Sequence, residues 1–140
     1  MQLPTEKEIN VYNSLDEICA AEHFLNKTIE EAELLFRKNS IYYQEDLMWM
    51  GIKAFDYYMQ SAIKYIKSDY SIEDSDFISC MHSTIEFRKD YNDIAIAKNI
   101  SITFIDNVID NYNKFEVDEK IYGNLLEKYK ALKLKLIKTN

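Results

Sequence analysis

The sequence predicts an all-α chain: a single helical domain over residues 1–140, folded as an irregular bundle of five or six helices. Three observations carry this. Thr5-Glu6-Lys7-Glu8, Ser14-Leu15-Asp16-Glu17 and Thr28-Ile29-Glu30-Glu31 each place a hydroxyl three residues before a glutamate, the spacing at which the two residues satisfy each other's free backbone N–H groups at a helix start. Apolar residues recur at steps of three and four through most of the chain, the period of a helix with one buried face. A single Pro and two Gly leave little of the punctuation that an all-β fold with many tight turns requires.

Taken in order, the first helical stretch starts at Thr5 and is short or broken near Asn13. Thr28 caps the next helix, which turns Ile29, Ala32, Leu35 and Phe36 inward and Glu30, Glu31, Glu33 and Arg37 outward and ends around Asn39. The segment Glu45 to Met50 reads equally as a helical turn or a short extended piece, closed by Gly51. Phe55, Met59, Ala62, Ile63 and Ile66 then define a helix to about Lys67, and Asp69 to Asp76 forms an acidic connector. The following helix carries Phe77, Ile78, Met81 and Ile85 inward and runs to about Lys89. Ile94, Ala97, Phe104, Ile105, Val108, Ile109 and Tyr112 give another helical stripe, although residues 94–104 also alternate and are rich in β-branched side chains, which leaves a strand open. Asp118 caps a last helix with Ile121, Leu125, Tyr129, Leu132 and Leu136 on one face. No heptad persists over several turns, so the bundle is not a coiled coil.

Charge is unevenly spread over the net −7. Residues 1–76 hold 15 acids and 7 bases, a net of −8, whereas residues 77–140 hold 9 acids and 10 bases, a net of +1. Such a field repels nucleic-acid phosphates and anionic lipid, and it speeds encounter with a basic protein. Neither nucleic acid nor membrane is therefore expected as a partner. The longest apolar runs are far shorter than a bilayer span and residues 1–10 are acidic and polar, so a cytoplasmic location is expected.

Candidate chemistry is sparse. Cys19 and His23 lie four apart and Cys80 and His82 two apart, neither at zinc-finger spacing, so the thiols are read as buried small hydrophobes and no metal is expected. No Gly-rich phosphate loop or nucleophile elbow is present, and no cofactor or catalytic residue is assigned. Glu45 and Asp46 precede an apolar run and are read as an N-terminal helix cap. The stretch 41–70 holds the only Trp, three of five Met and six of eleven Tyr, and such aromatics at helical spacing are read first as core.

The run LPTEKEINVYNSLDEICAAEHFLNKTIEEAELLFRKN, followed by YYQEDLMWMGIKAFDYYMQSAIKYI, resembles a group of small uncharacterised bacterial helical proteins over residues 3–66. The shared elements are a hydroxyl-capped EEAExLF helix, a Tyr-x-Glu-Asp-Leu-x-x-Met segment and an Ala-Phe-x-x-Tyr helix. The resemblance implies no activity and no site residue. Where those helices continue Tyr-Leu-Pro this chain has Tyr58-Met59-Gln60, so a proline kink is not implied.

Two readings of function follow. The first is a non-catalytic protein-binding module, of the kind that small acidic immunity proteins and antitoxins use against basic toxins, with Glu30, Glu31, Glu33, Asp69, Glu73, Asp74 and Asp76 facing a basic partner. The second is a small enzyme or ligand sensor with a pocket walled by Tyr42, Tyr43, Trp49, Phe55 and Tyr58.

Overall fold

The computed structural model describes residues 2–139. Among the described residues there are eight α-helices: α1 (Glu6–Ile9), α2 (Leu15–Phe24), α3 (Ile29–Trp49), α4 (Ile52–Lys67), α5 (Ser75–Arg88), α6 (Lys98–Asp110), α7 (Glu119–Tyr122) and α8 (Leu125–Lys138). Single 3-10 turns occupy Asp69–Ser71, Ile94–Ala97 and Tyr112–Phe115, and no strand occurs among the described residues. The count exceeds the expected five or six because two expected helices are split. Asn13 adopts the left-handed conformation at φ +62° and divides α1 from α2, and Gly123, at φ +71°, divides α7 from α8. Residues 94–104, where a strand was open, enter a 3-10 turn and then α6.

All three hydroxyl–glutamate pairs form complete capping boxes, at α1, α2 and α3. Helical geometry breaks at Asn39, where the helix was expected to end, and resumes directly after it. Its extended backbone (φ −161°, ψ 87°) bends α3, its Oδ1 accepts the Tyr42 N–H at 3.2 Å, and the helix continues to Trp49. The segment 45–50 is thus the last part of α3 rather than a separate piece.

The core gathers around α4. It packs against α3 on one side, α6 on another and α1 at its amino end, while α5 closes over α3 and meets α8. Of the stripe read from the sequence, Phe55, Met59, Ala62 and Ile66 are fully buried, joined by Tyr58, while Ile63 is only partly buried. Phe24, Phe36, Tyr58, Tyr65 and Phe77 form one aromatic cluster with neighbouring ring centroids 5.0 to 6.2 Å apart, in the tilted and edge-on arrangements that such rings prefer. Two buried tyrosine hydroxyls keep partners: Tyr58 donates to the carbonyls of Phe24 at 2.7 Å and Lys27 at 2.9 Å, at the end of α2, and Tyr129 donates to Ile78 at 2.6 Å.

One junction is tighter than the rest. Gly51 begins α4 with its N–H donating to the Ile9 carbonyl at 2.9 Å, so the end of α1 lies directly on the α3–α4 turn. A Cβ at Gly51 would stand 2.1 Å from the Glu8 carbonyl oxygen and 2.7 Å from Val11 Cγ2. With φ at −55° the backbone itself suits any residue; the requirement for glycine is one of space.

Two outcomes follow for stability. Gly51→Ala is expected to cost about 2–3 kcal/mol, because the methyl meets backbone that cannot rotate away, and a denaturant titration of the two proteins checks it. Met59→Asp, which buries a carboxylate without a partner, is expected to cost about 3 kcal/mol or more. An unchanged denaturant midpoint would place Met59 outside the core.

Candidate functional site

A groove of about 670 Å³ opens where the α1–α2 loop, the α3–α4 turn and the end of α5 meet. Val11 and Tyr12 form one wall, Met48 and Trp49 a second, Phe87 and Tyr91 a third, and Arg88 lies among the lining residues between them. Trp49 packs edge-on against Phe87 at 5.5 Å, and Phe87 against Tyr91 at 5.1 Å. The exposed apolar surface is large here: Tyr12, in the groove wall, is 86% exposed, and Leu15, at the start of α2, is 82% exposed. A contiguous exposed patch of this kind, rimmed by charge, is a mark of an interaction surface.

Two charged side chains build the groove. Glu17 is the N3 glutamate of the second capping box and reaches back over the loop before it. Its Oε1 accepts the N–H groups of Val11 and Tyr12, each at 2.9 Å, and its Oε2 accepts the Ser14 N–H at 3.1 Å and hydroxyl at 2.6 Å. Burial works against ionisation of this carboxyl, but the bonds from Ser14, Tyr12 and Val11 outweigh it and hold Glu17 below the usual carboxylate range. Four donors thereby fix the wall that Val11 and Tyr12 supply.

Arg88 comes from the last turn of α5 and is only 4% exposed. Its Nη1 donates toward the carbonyls of Leu47 at 3.0 Å, Met48 at 2.9 Å and Met50 at 2.7 Å. These are the unpaired carbonyls at the end of α3, where the helix dipole is negative. The guanidinium also lies over the Phe55 ring at 4.8 Å. Burial pulls the Arg88 pKa down, with Asp93, Tyr91 and Glu17 acting against it, yet arginine stays charged. No ion pair among the described residues includes Arg88, and its Nε is buried without a hydrogen bond.

The five aromatics expected to wall one pocket do not converge. Trp49 lines the groove, whereas Phe55 and Tyr58 are wholly buried and Tyr42 and Tyr43 pack on His23 at 5.3 and 5.1 Å. There His23 Nδ1 and Asp46 Oδ2 are 2.7 Å apart. Asp46 is therefore a buried partner of His23 inside α3, not the helix cap read from the sequence. Burial raises its pKa, and the hydrogen bond from His23 lowers it in part. Of the two thiols expected to be buried, Cys19 is exposed and Cys80 half-buried, and the His82 Nε2–H donates to the Lys128 carbonyl at 3.2 Å. Among the described residues no three His, Cys, Asp or Glu side chains gather to hold a metal ion.

The seven acids expected to face a partner divide by their bonding. Glu33 is buried and paired with Arg37 at 2.5 Å, because an arginine four residues on shares its face. Asp74 caps α5 and accepts from Ser40 and Tyr65, each at 2.6 Å. Asp76 accepts from the Tyr122 hydroxyl, and Glu31 is held in its capping box. Glu73 hydrogen-bonds with Glu116, whose pKa it raises. Glu30, Asp69 and Glu73 are exposed. Arg37 links the α3 set to the connector, its guanidinium 4.2 Å above the Tyr70 ring, so the two acidic regions lie on one side of the molecule.

No protein-family model, characterised protein or solved structure matches this chain. Its site is accordingly read from its own geometry.

Glu17 ties this geometry to pH. Its folded pKa lies below the unfolded value, so its contribution is fully present above the unfolded pKa and is lost as pH falls through the folded one. Glu17→Gln is expected to lower stability by about 1–3 kcal/mol at neutral pH, with the difference closing below about pH 4. Denaturant midpoints of both proteins across that range provide the check.

Proposed function

We propose that this protein is a non-catalytic binding module that docks a partner protein in the groove beside Arg88. The observation that carries this reading is the groove itself: an aromatic- and methionine-walled cleft continuous with the exposed Tyr12 and Leu15. Such walls suit an apolar segment, and Met side chains adapt to its shape. The two buried charges beside it are committed to structure, Glu17 by four donors and Arg88 by three carbonyls. A general base needs a lone pair directed at substrate, and Glu17 spends its own on the loop. The −8 carried by residues 1–76 favours a basic partner and acts mainly on encounter rate, with Glu30, Asp69 and Glu73 contributing to that field from the surface.

A second reading, a small enzyme, draws on His23 and Asp46. A buried carboxylate on Nδ1 leaves Nε2 turned toward the Tyr42 hydroxyl at 3.4 Å, which is the orientation of a general base held by an acid. Neither residue lines the groove, and this favours the binding module.

Neutral aromatic probes test the groove without reference to charge. Titration with indole and p-cresol at millimolar concentration is expected to shift amide resonances at 11–16, 48–53 and 87–93, the three walls. Shifts spread evenly over the chain, or none at these positions, would overturn the groove as a binding site.

A further inference from the structure

We propose that the contact between α5 and α8 is a proton-operated latch, in which protonation of His82 in mildly acid solution loosens α8 from α5. The inference is independent of what occupies the groove beside Arg88. Among the described residues three polar contacts join the two helices: the Tyr129 hydroxyl donates to the Ile78 carbonyl at 2.6 Å, the His82 Nε2–H donates to the Lys128 carbonyl at 3.2 Å, and Lys135 pairs with Glu86 at 3.6 Å. The His82 ring also packs edge-on against Tyr129 at 5.1 Å, and its side chain is only 13% exposed. The bond to Lys128 fixes the tautomer, because a carbonyl only accepts. A second proton must therefore enter at Nδ1, and no hydrogen bond or ion pair among the described residues uses that atom.

The charges around the ring decide what that proton does. From α8, Lys128 and Lys135 oppose an imidazolium, while on α5 Glu86 favours it from 3.6 Å at Nε2. Glu86 is shared, since its other oxygen takes Lys135. Asp90 lines the same crevice of about 620 Å³ and is paired with Lys89 at 2.9 Å. Burial is the largest influence and holds the His82 pKa below the ordinary histidine value, with the Lys128 carbonyl and Glu86 acting against it. A group whose pKa is lowered by folding contributes stability that is present above the unfolded value, about 6.5, and is lost as pH falls through the folded one. Neutral His82 thus closes the latch and acid opens it. Where loosening returns the ring to water, each pH unit between the two values makes loosened α8 about tenfold more populated in acid. Lys133 still reaches Asp106 at 2.7 Å, so α8 leaves α5 while it stays tied to α6.

Two measurements on the intact chain test the latch. The first follows the ring resonances of His82 by NMR from about pH 8 to about pH 5, where the midpoint is expected below about 6.5. A midpoint at or above that value overturns the proposal. The second compares amide hydrogen exchange at about pH 7.5 and about pH 5, corrected for the intrinsic effect of pH on exchange. A helix of 14 residues is marginal in water once it is undocked, so the amides of residues 129–138 report the loosening. Their protection is expected to fall in acid by about tenfold for each pH unit of lowering at His82, while that of α4 holds. Protection of α8 that ignores pH, or a loss shared equally by α4, overturns the latch. His82→Gln, neutral throughout and able to donate to the Lys128 carbonyl, is expected to protect α8 equally at both pH values. An acid effect that survives in this variant also overturns the proposal, and the two measurements on the unaltered protein decide it even if the variant fails to fold.

Discussion

The arrangement of this molecule turns on one guanidinium at the end of one helix. The last carbonyls of α3 have no partners in the helix, and a helix that ends inside a protein must find donors for them. Arg88 supplies these from α5, which forces the end of α5 onto the α3–α4 turn and brings Phe87 against Trp49. Burying a cation is costly. Here the cost is offset by three dipolar acceptors and by the Phe55 ring, with the carboxylates of Asp93 and Glu17 acting on the cation from nearby without an ion pair. The groove beside Arg88 is the geometric result of joining three chain segments at that point.

Glu17 is the counterpart on the opposite wall. A glutamate that caps its own helix commonly spends one oxygen on one backbone N–H; this one spends both oxygens on four donors and so determines where Val11 and Tyr12 stand. The same logic recurs at Asp74, which caps α5 and gathers the hydroxyls of Ser40 and Tyr65. Burial and the bond to Asp74 both raise the Tyr65 pKa. Acids that a composition count treats as surface charge thus serve as joints between helices.

Much of the backbone plan was legible. Hydroxyl–glutamate spacing marked three helix starts, Asn13 marked a break, and the stripe from Phe55 to Ile66 marked the central helix, because each depends on neighbours within one or two turns. What failed depends partly on distant partners and partly on local bonding and turns that a helical stripe does not show. Asp46 looked like a cap because nothing local announces His23, 23 residues earlier. Glu33 looked exposed although it is buried beside Arg37. Ile121, expected on a buried face, is 71% exposed because Gly123 redirects the chain before the stripe begins at Leu125. Arg88 carried a signal that can be read: it lies seven residues after Met81 and three after Ile85, in register with the buried face of α5. A cation at an inward position announces that something must receive it, though not what.

The contact between Gly51 and Ile9 bears on motion as well as packing. At four residues α1 has no helical stability of its own, and it holds its shape only while it rests on the α3–α4 turn. Its detachment is a local opening well short of global unfolding. Since Val11 and Trp49 border the groove from the two sides of that contact, an occupant bridging them would suppress the opening, and the Gly51 amide, bonded to the Ile9 carbonyl, becomes an internal clock for occupancy through its rate of hydrogen exchange.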